Sequence, residues 1–230
     1  MIDVELDLPP IPVPPPPPLS ALLEAELGHL APVATRRPLR QLALLVAISL
    51  IYGAGVLSMV AMRRDLHELP MYWLAGVALA WLAGFVVPVY LALVPRDGHV
   101  VPRWKLAGVS AVIGSVGFLL LGLALHGNGG PHSIDAIDHI SRGFGCLELG
   151  MLTSLVPVIV GALLLRRTLP VGSRGIAAAL GAGGGSLGGL MLHLHCSVTQ
   201  PLHVGLMHGG VVAIAALLSA LFVPRATDVR

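Results

Sequence analysis

The sequence predicts an all-α membrane protein with six transmembrane helices and both termini in the cytoplasm. Two features of the composition predict this class: 55% of the residues are hydrophobic and only 11% are charged. A soluble domain carries about 25% charged residues, so this chain has too little charge to cover a surface that faces water. A third feature, the placement of the basic residues, predicts the orientation.

Six apolar stretches are long enough to cross a hydrocarbon layer of about 30 Å, which takes about 20 helical residues. They are continuously apolar and do not alternate with polar residues, which indicates helices rather than strands. Together they predict a transmembrane domain over residues 41–225. The six stretches are Leu42–Met62, Leu69–Val94, Leu106–Leu125, Leu147–Leu165, Gly175–Leu192 and Leu202–Val223.

Basic residues mark alternate connections between these stretches. Eleven of the fourteen Lys and Arg residues fall on one side of the membrane, and the other side holds only Arg63, Arg64 and Arg142. Because short loops rich in Lys and Arg stay in the cytoplasm, we expect a multi-pass protein of the bacterial inner membrane. The basic residues are explained by this topology, so the lipid bilayer is an expected partner and nucleic acid is not.

The first 40 residues form a predicted cytoplasmic segment in two parts. Residues 9–18 read PPIPVPPPPP, a run that adopts an extended polyproline II helix and acts as a spacer. Residues 19–31 predict a short amphipathic helix, with Ser20 as a plausible N-cap and Pro32 just beyond its end. A helix this short is marginal alone in water, so its apolar side needs a partner surface.

The apolar side of this helix favours a protein partner over the lipid surface. Leu23, Leu27 and Leu30 recur at helical spacing, while Glu24 and Glu26 lie elsewhere around the helix. Helices that bind membrane surfaces usually carry Lys and Arg on the polar face, and anionic headgroups would repel glutamate. We therefore expect this helix to bind a groove on another protein.

Small residues repeat every four positions in two of the transmembrane stretches. One series is Gly181, Gly185 and Gly189, and the other is Gly76, Ala80 and Gly84. Such repeats allow two helix backbones to approach closely in the membrane. Both series therefore predict helix-packing faces.

Histidine and both cysteines gather at the predicted extracytoplasmic side. Imidazole and thiolate are good ligands for zinc or copper, although H-x-H-C is not a spacing that identifies a metal site. Cys146 and Cys196 are also candidates for a disulfide, and two unreactive thiols are the third alternative. The residues concerned are Cys146, His193, His195, Cys196, His203 and His208.

The sequence contains no Ser/His/Asp arrangement, no paired carboxylates within the bundle and no phosphate-binding loop. A glycine match to G-x-G-x-x-G at residues 183–188 lies inside an apolar stretch with no preceding strand, so it lacks the context of a dinucleotide site. We therefore expect neither an enzyme nor a resident cofactor.

In order along the chain, these features resemble the polytopic membrane anti-sigma factors of the NrsF type. The matching features are the amphipathic helix ending in LAPV, the basic stretch before the first transmembrane helix, Cys146 opening the fourth helix, the LRRTLP sequence of residues 165–170, the Gly-rich fifth helix and His195-Cys196. Light-responsive regulators of the CarR type are similar in outline.

The resemblance implies that the cytoplasmic segment holds a sigma factor of the extracytoplasmic-function class at the membrane and releases it on a stress signal. The implied sigma-binding residues are Leu19, Leu22, Leu23, Leu27, Leu30, Pro32 and Val33. The candidate sensing residues are Cys146, His193, His195, Cys196 and His203.

Two other functions fit parts of the sequence. One is a small permease or metal-binding membrane protein that uses the His/Cys side. Transport needs polar groups near the middle of the membrane, and the apolar stretches offer little beyond serine and threonine. The other is a structural membrane subunit that docks through its amphipathic helix.

Overall fold

The computed structural model describes residues 37–95, 101–125, 136–166, 173–198 and 200–227. These residues form helices and short connections, with no strand among them. The predicted cytoplasmic helix 19–31 and the polyproline segment 9–18 lie outside the described residues.

The six predicted transmembrane helices are present, and each is long and apolar enough to cross a membrane. The sixth, α6, changes its hydrogen-bonding pattern twice: one α-helical turn at Pro201–His203, a π-helical segment at Val204–Gly209, and an α-helix at Gly210–Thr227. The prediction of a multi-pass helical protein is thereby confirmed. The other helices are α1 Pro38–Met59, α2 Met71–Leu93, α3 Arg103–Leu125, α4 Ala136–Leu165 and α5 Ser173–His195.

The start of α4 differs most from the sequence prediction. The described residues extend this helix back to Ala136, before the predicted start at Leu147, and its apolar span begins at Gly143. Hydropathy detects only the part of a helix that is apolar enough for the hydrocarbon layer, so it missed the polar turns that precede this part. Cys146 therefore lies inside α4, whereas the sequence had suggested that it opens the helix.

The first helix is also shifted toward the N-terminus relative to its prediction. It begins at Pro38. Proline suits the first turn of a helix, because the N–H groups there have no partner within the helix and the missing N–H of proline costs no hydrogen bond. It ends at Met59 rather than Met62, where Val60 adopts an extended conformation with φ −107° and ψ 149°. The chain then crosses to the end of α5, where the backbone N–H of Arg63 donates to the carbonyl of Leu194 at 3.1 Å.

Helix α5 lies at the centre of the bundle. Of its apolar span 89% is buried within the protein, against 17–28% for the spans of α1 to α4 and 56% for that of α6. The helix is rich in glycine rather than in large apolar residues, so neighbouring helices can approach its backbone closely. Its central position follows from this lack of side-chain bulk.

The glycines of α5 face several neighbours in turn. A Cβ at Gly185 would lie 2.6 Å from the Cα of Val212 in α6, and one at Gly181 would meet the carbonyl of Ala215. A Cβ at Gly184 would lie 2.9 Å from the carbonyl of Ser154 in α4. These close approaches leave no room for a larger residue at the three positions.

The predicted packing face of α5 is thus confirmed, although its third member, Gly189, faces Trp81 of α2 rather than α6. The corresponding prediction for α2 is wrong at Gly76, where an added Cβ would meet nothing within 4 Å among the described residues. Gly84 does lie in a contact, against Phe118 of α3 and Ser186 of α5.

Candidate functional site

Two cysteines and two histidines meet at one end of the bundle. Cys146 comes from α4, and Cys196 follows the last residue of α5. His203 and His208 come from the first turns of α6. One potential ligand atom from each of the four lies within 4.8 Å of the other three. We refer to these four residues as the Cys/His cluster.

Two distances define the geometry around Cys196. Its Sγ lies 3.7 Å from the Sγ of Cys146 and 3.5 Å from Nε2 of His203. The imidazole rings of His203 and His208 have centroids 5.5 Å apart and planes inclined by 75°. Both cysteines are free thiols, so the structure does not contain the disulfide that the sequence left open.

The π-helical segment brings His203 and His208 together. The two residues are five apart, and in a regular α-helix such residues point to different sides. A π-helix pairs residue i with residue i+5, which places them one above the other. The segment Val204–Gly209 therefore allows both imidazoles to face the two thiols.

The cluster is buried and its polar atoms are only partly satisfied. His203 is 5% exposed and His208 is 3% exposed. Among the described residues, Nδ1 of His203 and Nε2 of His208 have no hydrogen-bond partner. Hydrogen bonding from Cys146, and then from His203 and His208, lowers the pKa of the Cys196 thiol below its ordinary value despite its burial.

The other two predicted sensing residues, His193 and His195, are not part of the cluster. Nε2 of His193 lies 3.4 Å from the carbonyl oxygen of Leu74 in α2, and its ring packs against Trp73. Nδ1 of His195 is hydrogen-bonded to the carbonyl of Ala61. Their ring nitrogens therefore tie the end of α5 to the connection between α1 and α2 and to α2 itself.

Arg63 completes this attachment. It is 6% exposed, and its guanidinium forms a two-point ion pair with Asp65 at 2.8 and 2.7 Å. A further guanidinium N–H donates to the carbonyl of His193 at 3.3 Å. The hydrogen bond from Arg63 holds the pKa of the Asp65 carboxyl below its usual range. We call Arg63 and Asp65, with their contacts to the end of α5, the arginine latch.

Sequence reasoning missed two parts of this site. It counted Arg63 only as a charge in a loop, and the short Arg-x-Asp spacing was the one available signal of its pairing. It named His208 near the other histidines but did not include it among the sensing residues, and the five-residue distance from His203 is not an α-helical spacing that would have linked the two. The predicted sigma-binding residues Leu19, Leu22, Leu23, Leu27, Leu30, Pro32 and Val33 lie outside the described residues.

The fold and the cluster together define a multi-pass helical membrane protein with a small polar site at one end of its bundle. The model of the family described as NrsF, negative regulator of sigma F, matches residues 28–227. The chain therefore belongs to this family, which consists of regulators and is not a class of enzymes. No curated protein and no solved structure gives a significant match. The resemblance inferred from the sequence is confirmed at the level of the family.

Proposed function

We propose that this protein is an anti-sigma factor of the bacterial inner membrane that sequesters a sigma factor of the extracytoplasmic-function class through its N-terminal segment. The observation that carries the proposal is the family match, which covers the transmembrane domain and extends to residue 28. Membership of a family of negative regulators of sigma F makes a sigma factor the expected partner. The class of that sigma factor and the place where it binds are the further steps of the proposal.

The N-terminal segment is the part of the chain best suited to hold a soluble protein. The family match begins at residue 28 and includes Leu30, at the end of the predicted amphipathic helix, and Pro32 and Val33, just beyond it. A stripe of leucines with glutamates on the other side suits a groove on a protein. The polyproline run before it adds a stiff spacer of about 3.1 Å per residue.

The placement of the basic residues in the sequence supports a cytoplasmic position for this segment. The connections assigned to the cytoplasm carry eleven of the fourteen basic residues, which is the bias that sets the orientation of a multi-pass protein. A segment that precedes α1 on this side can meet a sigma factor and keep it from RNA polymerase. In the same orientation, the Cys/His cluster lies at the extracytoplasmic end.

The release step requires a signal that binds or modifies one state of the protein more favourably than the other. The Cys/His cluster is our candidate for receiving it, because it joins α4, the connection after α5 and the start of α6. A change in the distances within the cluster would move these elements relative to one another. A stress that acts on thiols or imidazoles is therefore the expected type of signal.

The sigma-binding part of the proposal is tested with the full chain in native membranes. Leu23→Glu combined with Leu27→Glu places two charges on the predicted apolar stripe. We expect this variant to insert normally, to lose co-purification of the sigma factor, and to raise transcription from the promoters of that sigma factor. A transcriptional reporter and affinity purification from solubilised membranes measure the two effects.

The matched control is Ala21→Glu combined with Ala25→Glu. It adds the same two charges at the same spacing, on the opposite side of the predicted helix, and should retain both binding and repression. Unchanged repression by the Leu23/Leu27 variant, in membranes that contain the normal amount of protein, would refute the proposed binding site. Equal loss in both variants would show that charge, and not the leucine stripe, decides binding.

A further inference from the structure

We propose that Cys146, Cys196, His203 and His208 form a tetrahedral Cys2His2 binding site for Zn²⁺. The site goes beyond the proposed function and does not depend on it. It rests on the distances between the ligand atoms, on their chemistry, and on a buried nitrogen of His208 that has no partner among the described residues.

Two of the six distances between the ligand atoms already match those of a tetrahedral zinc site. Zn–S bonds of about 2.3 Å and Zn–N bonds of about 2.0–2.1 Å give separations of about 3.8 Å between two sulfurs and about 3.5 Å between a sulfur and a nitrogen. The cluster has 3.7 Å between the two Sγ atoms and 3.5 Å between Sγ of Cys196 and Nε2 of His203. The remaining separations are at most 4.8 Å, so small side-chain movements would complete the tetrahedron.

The charge of the ligand set suits a buried divalent cation. Two thiolates balance the charge of Zn²⁺, and two neutral imidazoles add none, so the complete site is neutral. A monovalent ion such as Cu⁺ would leave one negative charge in this buried place, which is costly. Arg63 lies beside the same cavity as Cys196 and His208, but its charge is balanced by Asp65 at 2.7 Å.

The unpartnered ring nitrogen of His208 gives an independent argument. Buried polar side chains nearly always have hydrogen-bond partners, yet Nε2 of His208 has none among the described residues. A cavity of about 30 Å³ borders His208 and Cys196. It is large enough for a single ion or water molecule. A buried polar group without a partner beside a small cavity indicates a ligand that completes it.

Binding converts both thiols to thiolates. As each Zn–S bond forms, the corresponding S–H bond breaks and its proton leaves to solvent, so one Zn²⁺ replaces two protons and no oxidant or reductant is needed. Each histidine binds as the neutral imidazole through the nitrogen that faces the thiols. Cys146 is the partly exposed member of the cluster, so it provides the side from which the ion enters.

The test uses the full chain, purified in detergent with reduced thiols and equilibrated with Zn²⁺ as the only added metal. We expect one zinc per chain by elemental analysis after removal of free metal, and protection of both cysteines from alkylation by maleimide. Replacement by Co²⁺ should give the sulfur-to-metal charge-transfer absorption and the strong visible bands of a tetrahedral thiolate site. Wild-type protein that binds no zinc, or whose thiols stay equally reactive with zinc present, would overturn the proposal.

Variants then identify the ligands. Cys146→Ser and His208→Ala should each weaken zinc binding at least tenfold and change or abolish the cobalt spectrum. His195→Ala is the matched control, because this histidine lies one residue from Cys196 but bonds to the carbonyl of Ala61. Full zinc content in His208→Ala, or loss of zinc in well-folded His195→Ala, would contradict the assigned ligand set.

The variants are compared only where size-exclusion chromatography shows a monodisperse protein. If His208→Ala fails this criterion, the alkylation and cobalt measurements on wild-type protein still decide whether the metal site exists. These measurements do not involve the N-terminal segment. Loss of sigma-factor binding in the Leu23/Leu27 variant and absence of zinc in wild-type protein are therefore independent results.

Discussion

Two pairs of histidines lie at the same end of the bundle and differ in what their nitrogens contact. His193 and His195, in the last turn of α5, face backbone carbonyls of Leu74 and Ala61. His203 and His208, in the first turns of α6, face two thiols, and within the described part of the chain each has one nitrogen without a partner. The first pair helps to hold the fold together, and the second pair has the properties of a binding site.

The comparison shows how little sequence proximity says about the role of a histidine. His195 is adjacent to Cys196 in the chain, yet its ring is directed to the connection between α1 and α2. His208 is far from Cys196 in the chain and yet belongs to the cluster. The two roles differ in whether the ring nitrogens have hydrogen-bond partners, and only the structure shows this.

Both pairs depend on close packing between α5 and α6, so a substitution at this contact should have the largest effect on stability. A Cβ at Gly185 would lie 2.6 Å from Cα of Val212, a backbone atom that cannot move independently. We expect Gly185→Ala to lower the free energy of unfolding by about 3 kcal/mol, because overpacking displaces the two helices. Unfolding by sodium dodecyl sulfate in mixed micelles, followed by circular dichroism, measures it.

Gly55→Ala in α1 is the matched control. A Cβ at Gly55 would meet nothing within 4 Å, so this variant should be as stable as wild type or more stable by up to about 1 kcal/mol, from the greater helix propensity of alanine. Equal destabilisation by the two variants would show that the close approach of α5 and α6 does not determine stability.

A substitution in the arginine latch should have the next largest effect on stability. It should also distinguish the two histidine pairs, because the latch contacts His193 of the first pair. Arg63→Met removes the ion pair with Asp65 and the bond to the carbonyl of His193. Since hydrogen bonds to charged groups contribute about 1.5–3 kcal/mol each and Asp65 can regain water, we expect a net loss of about 2 kcal/mol. The same denaturation assay measures it, and the zinc content should remain that of the wild type.

Arg64→Met is the control for this variant, because Arg64 is exposed and such substitutions usually change stability by no more than about 0.5 kcal/mol. Loss of zinc in a folded Arg63→Met protein would mean that the latch and the cluster are one site and would remove the distinction between the two pairs.

The fold could be predicted from the sequence further than the site could. Continuous hydropathy identifies six helices because the hydrocarbon layer imposes both their length and their composition. It does not locate Ala136 as the start of α4, because polar turns outside the hydrocarbon layer give no such signal. The central position of α5 could be anticipated from its repeated glycines, but not which glycine faces which neighbour.

For the site, the sequence supplied the residue types and the structure supplied their arrangement. Cys146, Cys196 and His203 were named as candidates and do lie together. Membership of His208 depends on a π-helical segment, and no simple periodicity in the sequence predicts one. The role of Arg63 depends on a contact with the end of α5, 130 positions away in the chain, and a single sequence contains no information about that pairing.

The smallest predicted effect is the change in stability when one histidine of each pair is replaced by leucine. It tests the comparison most directly, because the sign of this change differs between the two pairs. His193→Leu removes a partly buried contact with the carbonyl of Leu74 and the packing against Trp73, so metal-free protein should lose about 1 kcal/mol of stability. His208→Leu removes a hydrogen bond to the Cys196 thiol and also a buried nitrogen, Nε2, for which the described residues supply no partner, so the two changes offset. Metal-free protein should then be unchanged within about 0.5 kcal/mol or slightly more stable, since an unsatisfied buried polar group is itself destabilising.

Addition of Zn²⁺ should reverse the order of the two variants. A ligand that binds only the folded state stabilises it by about 2.7 kcal/mol at a hundredfold excess over its dissociation constant, so zinc should stabilise wild-type protein and His193→Leu but not His208→Leu. Denaturation of the three proteins with and without Zn²⁺ measures this difference. If His208→Leu destabilises metal-free protein as much as His193→Leu does, both histidines support the fold, and the unsatisfied nitrogens are not kept for a ligand.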